Sequence, residues 1–107
     1  MFMKQKQIFI SGKISGLSKE VYTENFGVAS LFLSMSDYIP VNPVDICSDY
    51  REEDWIDCME YCVRKLSVCD GIYLLRNWKD SVGARLEKQI ACIVKKYNPD
   101  FIIMEQE

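Results

Sequence analysis

The chain has 107 residues, 49% of them hydrophobic and 27% charged, which is room for one domain with a true core over residues 1–107 and too little for two. Thirteen Lys and Arg against sixteen Asp and Glu give a net charge of -3, a balance that favours neither a nucleic-acid backbone nor an anionic membrane as the main partner and leaves a small ligand as the natural one. With no histidine, imidazole-dependent nucleophiles, HExxH zinc sites and histidine pH switches are excluded.

Five cysteines, Cys47, Cys58, Cys62, Cys69 and Cys92, are an odd number without a CxxC pair. Neither a disulfide framework nor a zinc ribbon is expected, and a reducing, cytoplasmic setting is. The N-terminus lacks an apolar stretch of signal-peptide length, and the most apolar segment, 26–35, is too short to span a bilayer. No metal or cofactor is called for.

In chain order, the first element is a strand, Gln7–Ser11, closed by Gly12. The loop that follows, from Ser11 through Gly12, Lys13, Ile14 and Ser15 to Gly16, has two glycines that permit close backbone approach, and a lysine and hydroxyls suited to a phosphate. It lacks both the Walker A ending and GxGxxG spacing, so a bare tight turn serves as well. The next helix carries two apolar stripes. Tyr22, Phe26, Ala29 and Leu33 form one, sufficient to dock on a sheet. Val28, Leu31, Phe32 and Met35 form another, which points either to a second subunit or to loops of the same chain.

A second strand falls at 38–42, where Asn42 and Pro43 either contact a sugar or form a turn. The second helix places Trp55, Cys58, Met59, Cys62, Val63, Leu66 and Cys69 on one side at about 100° per residue, with Asp57, Glu60 and Arg64 opposite. Its cysteines read as small core residues. A third strand at 71–75 leads to Trp78, which either stacks on a base or caps the sheet edge. Ser81 or Asp80 then caps a third helix, whose first free N–H groups are a ready anion site. On that helix, Gly83, Ala84, Leu86, Ile90, Ala91, Ile93, Val94 and Tyr97 share one half of the wheel, and Glu87 falls among them. A carboxylate there is either an edge residue reaching solvent or a desolvated, useful group with a raised pKa. The last strand is 101–104.

The order β-α-β-α-β-α-β predicts a parallel sheet covered on both faces, a flavodoxin-like or Rossmann-like three-layer sandwich. Ligands of such sheets bind beyond the carboxyl ends of the strands where the strand order reverses, which directs attention to the loops after the first and third strands.

Four segments together, IFISGKISG, VNP, CDGIYLL and WxxSxGAxxE, resemble the nucleoside 2-deoxyribosyltransferase-like family over essentially the whole chain, and most of all its short bacterial and phage branch. The resemblance implies a four-stranded parallel sheet in the order 2-1-3-4. It implies that Glu87 is the nucleophile that attacks an anomeric carbon, a role suited to a carboxylate. Ser81, six residues earlier, matches the serine with which nucleotide hydrolases of the family touch a 5'-phosphate. By the same likeness Phe9 stands at the family's orienting tyrosine, Ser15 at a loop arginine whose charge Lys13 can supply, and Cys62 at an aspartate that assists proton transfer to the base. Asp70 reads as structural.

The expected function is therefore cleavage or transfer of the 2-deoxyribosyl group of a deoxynucleoside 5'-monophosphate through Glu87. Phe9, Ser11, Gly12, Lys13, Ser15, Gly16, Asn42, Trp78, Ser81 and Gly83 are the expected substrate-binding residues. The alternative is a nucleotide-binding module that has lost turnover. A homodimer or larger assembly is expected through the first helix.

Overall fold

The computed structural model describes residues 4–47 and 51–107. Strands β1 (Gln7–Ser11), β2 (Ile39–Val41), β3 (Gly71–Leu74) and β4 (Ile102–Glu105) form one parallel sheet in the order 2-1-3-4. Ile8 aligns with Pro40 on one side and Gly71 on the other, and Ser11 with Leu74. Three long helices make the crossovers: α1 (Lys19–Met35), α3 (Trp55–Val68) and α4 (Val82–Tyr97), with a single turn, α2 (Pro43–Ile46), after β2.

Side chains alternate across a strand, so the two faces of β1 and β3 build separate cores. On one face Ile8, Ile10, Tyr73 and Leu75 meet Tyr22, Phe26, Ala29 and Leu33, the docking stripe of α1. On the other, Phe9, Ile72 and Leu74 meet Cys62, Leu66 and Cys69, with Ala91 of α4 and Phe101. Helices thus cover both faces, the three-layer flavodoxin-like arrangement. Asp70 is a structural residue: its carboxylate accepts from Gln7 N at 2.8 Å and its own N–H donates to Gln7 O at 2.7 Å, joining the starts of the two central strands.

Three expectations are corrected. The first concerns the cysteines, because Cys47 and Cys58 form a disulfide with Cα atoms 6.1 Å apart. The second concerns α4, whose buried stripe is narrower than half a wheel and runs through Gly83, Ala84, Glu87 and Ala91. Leu86, Ile93 and Tyr97 lie outside it and are exposed, since a helix touching a sheet and one neighbouring helix buries only the side between them. The third is α2, absent from the periodicity because one turn is too short to show any. Asn42 is its N-cap, accepting from Val44 N at 2.9 Å, and Pro43 opens it.

The other apolar stripe of α1 remains uncovered, with Val28, Leu31, Phe32 and Met35 from 52% to 80% exposed. Among the described residues, no helix is long and apolar enough to cross a membrane.

Candidate functional site

The strand order reverses between β1 and β3, and the carboxyl ends of these two central strands frame the site. Ser11 is the last residue of β1 and points to the same face as Phe9, towards α3 and α4. The start of α4 is fixed by Ser81, whose hydroxyl accepts from Ala84 N at 3.1 Å. Of the two candidate caps, Ser81 is the one that forms, and Asp80 remains exposed in a 3-10 turn, Trp78–Asp80. About one and a half turns further, Glu87 comes over the end of β1.

There the Ser11 hydroxyl donates to Glu87 Oε1 at 2.7 Å. Both side chains are buried, Ser11 completely and Glu87 with 6% of its surface exposed. Burial disfavours the charged carboxylate and pushes the Glu87 pKa up to about 7, while the Ser11 hydrogen bond pulls the other way. At neutral pH the group is poised between its two protonation states. Its charge also acts on Cys62, whose thiol burial and Glu87 together hold at about 12.

The first loop is closely fitted to the sheet. A Cβ at Gly12 would stand 2.5 Å from Leu75 Cδ1 and 2.9 Å from Leu75 Cβ, so only glycine lets the chain pass there. Lys13 N donates to Asn77 Oδ1 at 3.0 Å, which ties this loop to the one after β3. Gly16 holds φ +86°, a left-handed conformation suited to glycine.

Glu87 faces a cavity of about 40 Å³ bordered by Gly12, Ile14, Ser15, Pro43, Trp55, Cys58, Met59, Cys62, Ser81, Gly83 and Ala84. This is space for a few waters. Ser15, Trp55, Ser81 and Gly83 also border a larger cleft of about 470 Å³, completed by Lys13, Asp80 and Val82, within the range of small-molecule sites. Met59 also lines the inner cavity, and its sulfur would lie 2.9 Å from a Cβ at Gly83.

Six of the residues singled out in the sequence, Gly12, Lys13, Ser15, Ser81, Gly83 and Glu87, therefore border this pair of cavities, and Ser11 joins them through Glu87. The remaining four border neither. Phe9 is wholly buried in the core. The Asn42 side chain caps α2 and donates to Ser30 Oγ at 3.2 Å. Trp78 packs against the core beside β3, with the Lys79 and Lys88 ammonium groups each 5.7 Å from its ring. Gly16 is exposed. Sequence reasoning missed Asn77, whose signal was an asparagine just past a strand end, where side-chain bonds to backbone are common. Trp55 and Met59 were assigned to the helix face and not to the cavity that this face borders.

Residues 6–97 match the profile of a family described as a domain of unknown function, DUF4406, and the chain belongs to that family. No curated protein sequence is significantly similar to it.

Proposed function

We propose that the Glu87 site makes or breaks an N-glycosidic bond, hydrolysing or transferring the 2-deoxyribosyl group of a deoxynucleoside 5'-monophosphate. The observation that carries this reading is a buried carboxylate, held by Ser11 at the carboxyl end of the central strands and next to the capped start of a helix. The likeness to nucleoside 2-deoxyribosyltransferases supplies the substrate class.

In this mechanism the phosphate lies in the larger cleft, by the Ser81 hydroxyl, the first N–H groups of α4 and Lys13. The sugar extends inward to Glu87. The ionised carboxylate attacks the anomeric carbon, the bond to the base breaks with its electron pair going to the base, and a proton reaches the base from solvent. Water or a second base then displaces the glutamate and frees the sugar phosphate or a new nucleotide. Ser11 orients the attacking oxygen. An inner cavity of about 40 Å³ does not hold a deoxyribose, so Met59, an unbranched and flexible side chain, swings away from Gly83 as the sugar enters.

A second reading, a nucleotide-binding module without turnover, is favoured by two positions. Phe9 has no hydroxyl and is sealed in the core, and the buried Cys62 thiol, held at about 12, is a poor proton donor to a departing base. Release of free base from deoxynucleoside monophosphates by the wild type and by Glu87→Gln separates the two. The assembly we propose is a homodimer through the exposed stripe of α1, whose Phe32 already leans on Tyr73 with ring centroids 5.6 Å apart.

A further inference from the structure

Three cysteine sulfurs converge beside the Glu87 cavity, whose wall includes two of these residues, Cys58 and Cys62. Cys47, just past α2, is bonded to Cys58 in the first turn of α3. Cys62, one turn further along the same face, brings its sulfur to 4.0 Å from that of Cys47. All three sulfurs lie within 4.8 Å of one another. Two arrive from one helix because residues four apart stack on its surface. The third is delivered by the turn that Asn42 caps and Pro43 opens. Cys69 and Cys92 stand apart from this cluster and are free thiols.

Three sulfurs share a single disulfide, so one is always left over. Where the disulfide is reduced, clustered thiols of this kind more often hold a metal than a crosslink. We propose that the reduced Cys47, Cys58 and Cys62 form a binding site for one thiophilic cation of the Zn²⁺, Cd²⁺ or Cu⁺ class. A dithiol reductant opens the Cys47–Cys58 bond, giving two thiols and leaving the reductant as its own disulfide. A divalent cation then takes three thiolates and releases three protons.

The geometry suits such an ion. With metal–sulfur bonds of about 2.3 Å, three sulfurs around one centre stand about 4 Å apart, the separation that Cys47 and Cys62 already have. Cys47 and Cys58 must separate once their bond is opened, and Cys58 already lies within 4.8 Å of Cys62. Soft donors in a mostly apolar wall beside Trp55 and Met59 select soft cations over magnesium or calcium. This site does not depend on the glycosidic reading of Glu87.

The test uses the full chain, reduced with a phosphine, freed of small molecules under inert gas and titrated with Cd²⁺. Thiolate-to-metal charge-transfer absorption and native mass spectrometry are the readouts. One Cd²⁺ per reduced chain is expected and none on the oxidised chain. Cys62→Ser should weaken binding by about tenfold or more, and Cys92→Ser should leave it unchanged. Because Cys62 is a core position, Cys47→Ser, at a partly exposed site, is the companion variant and must weaken binding as strongly. Absence of a charge-transfer band in the reduced wild type, or equal affinity in Cys47→Ser, overturns the proposal.

Discussion

The Ser11 hydroxyl and the Glu87 carboxylate meet at 2.7 Å across 76 residues of sequence, the last residue of the first strand touching the second turn of the last helix. This bond joins the end of β1 to α4, and it is made inside the protein, where a hydroxyl and a carboxylate depend on each other for partners. Removing Ser11 leaves the carboxylate with less support for its charge. Ser11→Ala should therefore raise the Glu87 pKa above about 7, because the lost hydrogen bond is the influence that lowers it. Side-chain carboxyl NMR across a pH series measures this, and an unchanged or lower midpoint would contradict it.

Glu87 should also govern how stability changes with pH. Its folded pKa of about 7 lies above the ordinary 4.5, so the folded chain holds the proton more tightly than the unfolded chain. Its contribution is complete below pH 4.5 and is lost as pH rises through about 7. A shift of this size is worth roughly 3 kcal/mol. Glu87→Gln keeps the shape without the charge, so it should be clearly more stable than wild type at pH 8, with the gain vanishing at pH 4. Urea unfolding at the two pH values checks this, and a variant less stable than wild type at pH 8 would show that the charged form is not the strained one.

How much of this was legible in the sequence depended on the range of the signal. The four strands and the α1 docking stripe followed from short apolar runs and 3.6-residue spacing, because each is set by neighbours along the chain, whereas the strand order came from the family resemblance. Glu87 was visible as a carboxylate among apolar residues on one helix face. Its partner Ser11 and the link from Lys13 to Asn77 were not, since nothing local marks contacts made across the sheet. The Cys47–Cys58 bond escaped for a similar reason: it rests on a one-turn helix without periodicity, and counting cysteines does not say which two meet. Leu86, Ile93 and Tyr97 were read as inward because a wheel shows polarity and not how wide a stripe the neighbours cover.

Ser81 has two roles that one substitution separates. As the N-cap of α4 it should be worth about 1 kcal/mol, so Ser81→Ala lowers the unfolding midpoint modestly. If its hydroxyl also meets a phosphate, calorimetry should show weaker binding of deoxynucleoside monophosphates with little change for the matching nucleosides. Equal loss for both ligands would assign Ser81 to the cap alone.

The exposed stripe of α1 should be the contact between two copies of the chain. Light scattering at micromolar concentration is expected to give a dimer for the wild type and a folded monomer for the pair Leu31→Glu and Met35→Lys, both more than 60% exposed. A wild-type monomer would contradict this. A dimer that survives both substitutions would move the contact elsewhere, with the exposed residues Val82, Leu86, Ile93 and Tyr97 of α4 the first to examine.

The central claim is that Glu87 is a nucleophile, and its most direct measurement is chromatographic release of free base from each deoxynucleoside 5'-monophosphate by wild type and by Glu87→Gln. The account predicts release by the wild type that rises as pH passes through about 7, where the carboxylate ionises, and none above background from Glu87→Gln, with monophosphate binding largely kept. Equal release by the two proteins would contradict it, and binding without release by the wild type would leave the nucleotide-binding module in its place.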